Sequence, residues 1–114
     1  MAIIKPFRAL RPVPEKAKQT ACVPYDVVYN EEAREYIKEN PLNFLRVTRP
    51  EAVFDEGANP SDEEIFAKAK ENLQKFVDDE IFAYEAEPCL YVYRLSTDDH
   101  SQTGIVACCS LDEY

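Results

Sequence analysis

The run Ser61-Asp-Glu-Glu64 constrains this chain more than any other stretch. Ser and Glu three residues apart can each satisfy the other's backbone N–H, which marks a helix start. Behind it Phe66, Ala69, Leu73, Phe76 and Val77 recur at helical spacing. That pattern predicts an amphipathic helix of about 17 residues with its apolar stripe turned to a core. A chain of 114 residues organised around such a helix has room for one modest core.

The remaining elements are shorter. Ile3 to Leu10 alternates loosely around Pro6 and reads as an edge or terminal strand, and Arg11-Pro-Val-Pro as an extended loop. Val23-Pro-Tyr-Asp-Val-Val is a turn entering a short apolar stretch. Asn30 is placed to cap a helix over residues 31–39, with Glu31 and Glu32 favourable to its dipole, and Pro41 stops it. Asn43 to Thr48 (NFLRVT) has the length and residue types of a strand closed by Arg49-Pro50. Phe54 to Pro60 is a breaker-rich loop, and Ile81 to Tyr84 a brief strand. Leu90–Leu95 and Thr103–Ser110 flank a polar loop, so residues 89–110 read as a hairpin. The expected fold is α+β: a small mixed sheet, two main helices and a C-terminal β-hairpin, in one domain over residues 1–114.

Composition narrows the partners. The net charge is −9, distributed unevenly. Residues 1–50 carry nine basic and six acidic side chains, net +3; residues 51–114 carry four and sixteen, net −12. The acidic part repels phosphate backbones, so direct binding to duplex DNA is not expected, and any anionic ligand belongs on the first half. No apolar run reaches the roughly 20 residues of a membrane span. The N-terminus is too short and too interrupted for a signal peptide, so the expected compartment is the cytoplasm. Cys22, Cys89, Cys108 and Cys109 form no C-x-x-C pair, and the only histidine, His100, lies in a polar run. Reduced structural thiols and no bound metal are the expectation.

Catalytic motifs are sparse. Two glycines, Gly57 and Gly104, cannot build a glycine-rich phosphate loop. The chain contains neither a G-x-S-x-G elbow nor an H-E-x-x-H pair. Residues 21–51 hold the one candidate ligand site: Tyr25, Asp26, Asn43, Thr48 and Arg49. Arg49 can grip a carboxylate or phosphate with a bidentate fork, and Asp26 can orient that guanidinium or accept a substrate hydroxyl. The architectural alternative is that Asp26 caps its own turn and Arg49 pairs with Glu51. If Arg49 serves a ligand alone, its removal would leave thermal stability little changed.

The segments IKPFRALRPVPEKA, VPYDVV, EEAREYIKENP, NFLRVTRPE, AKENLQKF, PCLYVYRL and QTGIVACCSLDEY resemble, in that order, the N-terminal part of a family of conserved bacterial and archaeal proteins. It is the domain of unknown function numbered one thousand and fifteen, some of whose members are labelled SpoOJ/ParB-like regulators. The resemblance spans essentially the whole chain. Members are longer, which implies that this chain is an N-terminal fragment and that the rest of a parent chain is its partner.

A looser likeness to the ParB/sulfiredoxin superfamily rests on Ile4-Lys-Pro-Phe-Arg8 through Pro12, the helix at 31–39, and Val47-Thr-Arg-Pro50. Relatives on that fold include DNA partition proteins, sulfiredoxins and kinases of free serine. Their shared phosphate-binding element is a Gly-His-His-Arg motif, which residues 1–114 do not contain. The resemblance would place such a motif, and any nucleotide, beyond Tyr114. Two functions follow as implications. One is a SpoOJ/ParB-like regulatory or interaction domain, not catalytic by itself and with no cofactor in this chain. The other is one wall of a nucleotide-dependent phosphotransferase of the free-serine-kinase kind.

Overall fold

The computed structural model describes residues 2–112. In chain order the elements are β1 (Ile4–Lys5), β2 (Leu10–Pro12), α1 (Ala17–Thr20), a 3-10 turn (Tyr25–Val27), α2 (Asn30–Glu39), α3 (Leu45–Thr48), a second 3-10 turn (Pro50–Val53), α4 (Asp62–Asp78), β3 (Phe82–Tyr84), β4 (Tyr91–Ser96), β5 (Ser101–Val106) and β6 (Cys108–Cys109). The fold is α+β, and its strands form three two-stranded sheets: β1–β6, β2–β3 and β4–β5. These residues divide into two compact units, 12–83 and 2–11 with 84–112. Among them no helix is long and apolar enough to cross a membrane.

In the unit 12–83, α4 has the capping box its sequence predicts. Glu64 N–H donates to Ser61 Oγ at 3.2 Å, and Ser61 N–H to Glu64 Oε1 at 3.4 Å. The helix is 17 residues long and closes on Glu80, whose φ of 61° lies in the left-handed region. Ile81 N–H reaches back to Phe76 C=O at 2.9 Å and Glu80 N–H to Val77 C=O at 3.1 Å, the two hydrogen bonds of a Schellman cap. Glycine is the residue favoured there, because a Cβ in that conformation is strained. Glu80→Gly is therefore expected to raise stability by about 0.5–1 kcal/mol, read as a higher urea midpoint with an unchanged slope.

The buried face of α4 differs by one position from its predicted stripe. Phe76 and Asn72 are buried, with Ile65, Ala69, Leu73 and Val77 half-buried, whereas Phe66 is 71% exposed. Ile65, one residue earlier, lies on the inner face in its place. Phe44, Phe82 and Phe76 form a short aromatic ladder with centroids 5.3 and 5.7 Å apart. A second cluster joins Val28, Ala33, Leu45 and Ala52, with Val23 and Ile37 against it.

Residues 43–48 are not the predicted strand. Asn43 Oδ1 accepts from Leu45 N–H at 2.9 Å, and Arg46 and Val47 N–H donate to Asn43 and Phe44 C=O. The buried asparagine thus starts a helical turn, α3, in a segment whose side chains favour strand. From α4, Asn72 Nδ2 donates to Arg46 C=O at 2.8 Å and fixes the turn in place. Two smaller differences accompany it. Tyr29, not Asn30, is the capping position of α2, where its N–H donates to Glu32 Oε1 at 3.2 Å. The extended loop after Arg11 contains a one-turn helix, α1.

The unit formed by both ends of the chain is built on the predicted hairpin. β4 and β5 pair antiparallel from Tyr91–Val106 to Ser96–Ser101. The sequence placed residues 107–110 in the second hairpin strand. Instead Cys108 and Cys109 leave β5 and pair antiparallel with Lys5 and Ile4. Ile3 to Leu10 is correspondingly broken, with Phe7 bridging Cys89 between β1 and β2. Tyr91 ties the segment down: its hydroxyl donates to Phe7 C=O at 2.8 Å and accepts from Ala9 N–H at 2.9 Å.

Candidate functional site

Arg49 follows α3 directly, with its side chain 21% exposed. Its backbone N–H donates to Leu45 C=O at 2.8 Å, and Pro50 then opens the second 3-10 turn. The chain reversal aims the guanidinium at the Tyr25–Val27 turn and at the start of α2. There Nη1 donates to Tyr25 C=O at 2.6 Å, and Nε donates to Asn30 Oδ1 at 3.0 Å and lies 3.2 Å from Glu51 Oε1. One cation thus joins three segments separated by up to 24 residues. Such charge-assisted bonds are stronger than neutral ones and hold the corner closed. Among the described residues Nη2 makes no hydrogen bond.

The five candidate residues are placed differently. Tyr25 meets Arg49 through its backbone oxygen, and the residue is 58% exposed. Asp26 is exposed in the first turn of the 3-10 helix and has no hydrogen-bond partner among the described residues. Asn43 is buried, its side chain capping α3. Thr48 is exposed and its hydroxyl donates to Phe44 C=O at 3.4 Å. Arg49 and Tyr25 are therefore brought together, while the side chains of Asn43 and Thr48 bond to the backbone of their own turn. Asn30 joins Arg49 instead. Its capping-residue identity drew attention to its own helix and concealed this role. Asn72 was missed as well, because a single asparagine within an apolar stripe carries no signal of the Arg46 carbonyl it meets.

The cysteines occupy two kinds of place. Cys22 lies at the rim of an open apolar groove of about 350 Å³ lined by Pro12, Ala17, Phe44 and Phe82. Partial burial there pushes its thiol up from the ordinary value. Cys89 donates its S–H to Glu87 C=O at 3.2 Å, and Cys108 and Cys109 are exposed on β6. Among the described residues no three His, Cys, Asp or Glu side chains are grouped to hold a metal ion.

An α+β chain, with a helical corner clamped by one arginine in one unit and an exposed two-stranded hairpin in the other, is the class these features define. The chain belongs to the family described as "Protein of unknown function (DUF1015)", whose model matches residues 4–114. Neither a curated protein nor a solved structure matches it.

Proposed function

We propose that this chain is a non-catalytic interaction domain of the SpoOJ/ParB-like regulatory kind, acting in the cytoplasm, and that the β4–β5 hairpin is its contact element. The observation that supports this most is the exposure of apolar side chains on both faces of the hairpin. Val92 and Ile105 stand opposite each other, 74% and 73% exposed, and Tyr93 and Leu95 on the other face are 58% and 61% exposed. Contiguous exposed apolar surface of this sort is typical of docking sites, and a two-stranded hairpin gains most when something packs on it. The partner is another polypeptide surface.

A photo-crosslinking amino acid placed at Ile105 tests the reading in cells. A specific adduct to a polypeptide is expected from Ile105 and none from Lys70, which is exposed on α4. Equal labelling from both positions, or none from Ile105, overturns it.

A second reading has its own observation. The unpartnered Nη2 of Arg49 beside the exposed Tyr25 favours a place for an anionic group, as in one wall of a nucleotide-dependent phosphotransferase. Saturable binding of ATP that Arg49→Lys weakens would favour this reading.

A further inference from the structure

The hairpin leaves a backbone edge open, and the hydrogen-bond pattern says which groups lie along it. Thr97 N–H donates to His100 C=O at 2.7 Å. Bonded and non-bonded pairs alternate in an antiparallel ladder. In the observed register, Tyr91–Val106, Tyr93–Gly104 and Leu95–Gln102 are therefore bonded pairs, whereas Val92–Ile105, Arg94–Thr103 and Ser96–Ser101 are not. The N–H and C=O groups of Val92, Arg94 and Ser96 consequently point away from β5. No strand occupies that side of β4 among the described residues.

We propose that this edge of β4 pairs antiparallel with the same edge of a second copy of the chain, about a two-fold axis through Tyr93. The proposal rests on the reading of the hairpin as the contact element and names its partner. Val92 then faces Arg94 of the second copy, and Arg94 faces its Val92. The outward N–H and C=O groups of Val92 and Arg94, four on each copy, are satisfied in two bonded pairs, and Ser96 faces Leu90 of the second copy. Tyr93 meets its own mate and Tyr91 meets Leu95 of the second copy, so six apolar side chains form one band on one face of a four-stranded sheet.

Neighbouring registers are poorer. A shift of one step towards the loop sets Arg94 against Arg94, a like-charge pair. A shift the other way sets Pro88, which has no N–H, opposite Ser96. The edge is also thinly protected, since β4 contains no proline and a single charged side chain, Arg94.

Charge favours a second copy at this place over any other surface. The chain carries −9 in total, yet Arg94 is the only charged side chain on β4 and β5. Within the paired strands two copies therefore meet no carboxylates; Asp99 and Glu87 of the second copy lie beyond the strand ends. A closed two-fold contact is also the commonest symmetry of self-association. The area is small, however. Six residues of strand span roughly 20 Å, and edge pairing over that length buries less than the ~800 Å² per partner of a standard interface. The dimer is weak and in exchange with monomer.

Sedimentation equilibrium on the purified chain, with hydrogen exchange followed residue by residue, decides the matter. The mass should rise from 13.1 kDa towards that of a dimer as concentration increases. The amides of Val92 and Arg94 should slow in parallel, while those of Thr103 and Ile105, on the outer edge of β5, should not change. Val92→Pro removes an outward N–H at a position that makes no bond to β5, and Tyr93→Lys places two cations at the axis. Both should abolish the heavier species while the circular dichroism spectrum is retained. If Val92→Pro disrupts the hairpin, Tyr93→Lys decides alone. A mass that stays at 13.1 kDa into the millimolar range overturns the second copy as partner. A crosslink from Ile105 to a different polypeptide, or to a further segment of a longer parent chain, would then leave the contact-element reading standing. Association that survives Tyr93→Lys in a folded variant, or that grows beyond a dimer, also overturns the proposal.

Discussion

Leu45→Ala is expected to lower the unfolding free energy by about 2–5 kcal/mol, the usual cost of emptying a well-packed leucine site. Leu45 is fully enclosed at 0% exposure, packed with Val28, Ala33 and Ala52. Its neighbours cannot collapse into the gap easily, because the Asn43 cap and the Asn72 bond on either side hold α3 in place. For a chain of this size the loss corresponds to a fall of roughly 10 °C or more in melting temperature. Leu111→Ala is the control: Leu111 is 86% exposed, and its truncation should change stability by less than about 0.5 kcal/mol. Equal effects from the two substitutions would show that the cluster around Leu45 does not carry the core.

Arg49→Ala is expected to cost about 1.5–3 kcal/mol, the range for losing hydrogen bonds made by a charged group. The substitution leaves Tyr25 C=O, Asn30 Oδ1 and Glu51 without their common partner. The sequence alone suggested a different result, little change in stability, for an arginine that serves a ligand only. Urea unfolding separates the two: a lowered midpoint assigns the guanidinium to holding the corner, whereas an unchanged midpoint assigns it elsewhere. Arg49→Lys should restore little, because an ammonium cannot reproduce the fork that reaches Tyr25 and Asn30 together.

Why the long elements were legible and the corner was not follows from the reach of each signal. The 17 residues of α4 span several turns, so a capping box and a repeating stripe agree with one another. Even there, the one-position difference between Phe66 and Ile65 shows that sequence spacing fixes the face of a helix only approximately. α3 is four residues long, close to a single helical period, and its leucine, valine and threonine favour strand. Its conformation is decided by Asn43 at its start and by Asn72, 26 residues away in sequence from its bonding partner Arg46. The candidate site suffered in the same way. Tyr25 and Asp26 were read on a turn but Asn43 and Thr48 on a strand, and the partners of all of them depend on which segments the fold brings together. Asn30 reaches Arg49 only after α2 has docked. The departure of Cys108 and Cys109 from the hairpin has a similar origin, since β1, their pairing strand, lies about a hundred residues earlier.

The hydroxyl of Tyr91 bonds residues 84 and 82 positions away in sequence, at Phe7 and Ala9. On a ribosome, residues 7–9 therefore wait for residue 91 before these bonds can form. Residues 12–83 hold their buried clusters within one continuous stretch and can consolidate while synthesis continues. Until residue 91 emerges, β1 has neither the Tyr91 phenol beside it nor its β6 partner, and closing so long a loop slows its placement. Residues 2–11 are thus placed after residues 12–83, so their placement reports that the chain has emerged as far as Cys109.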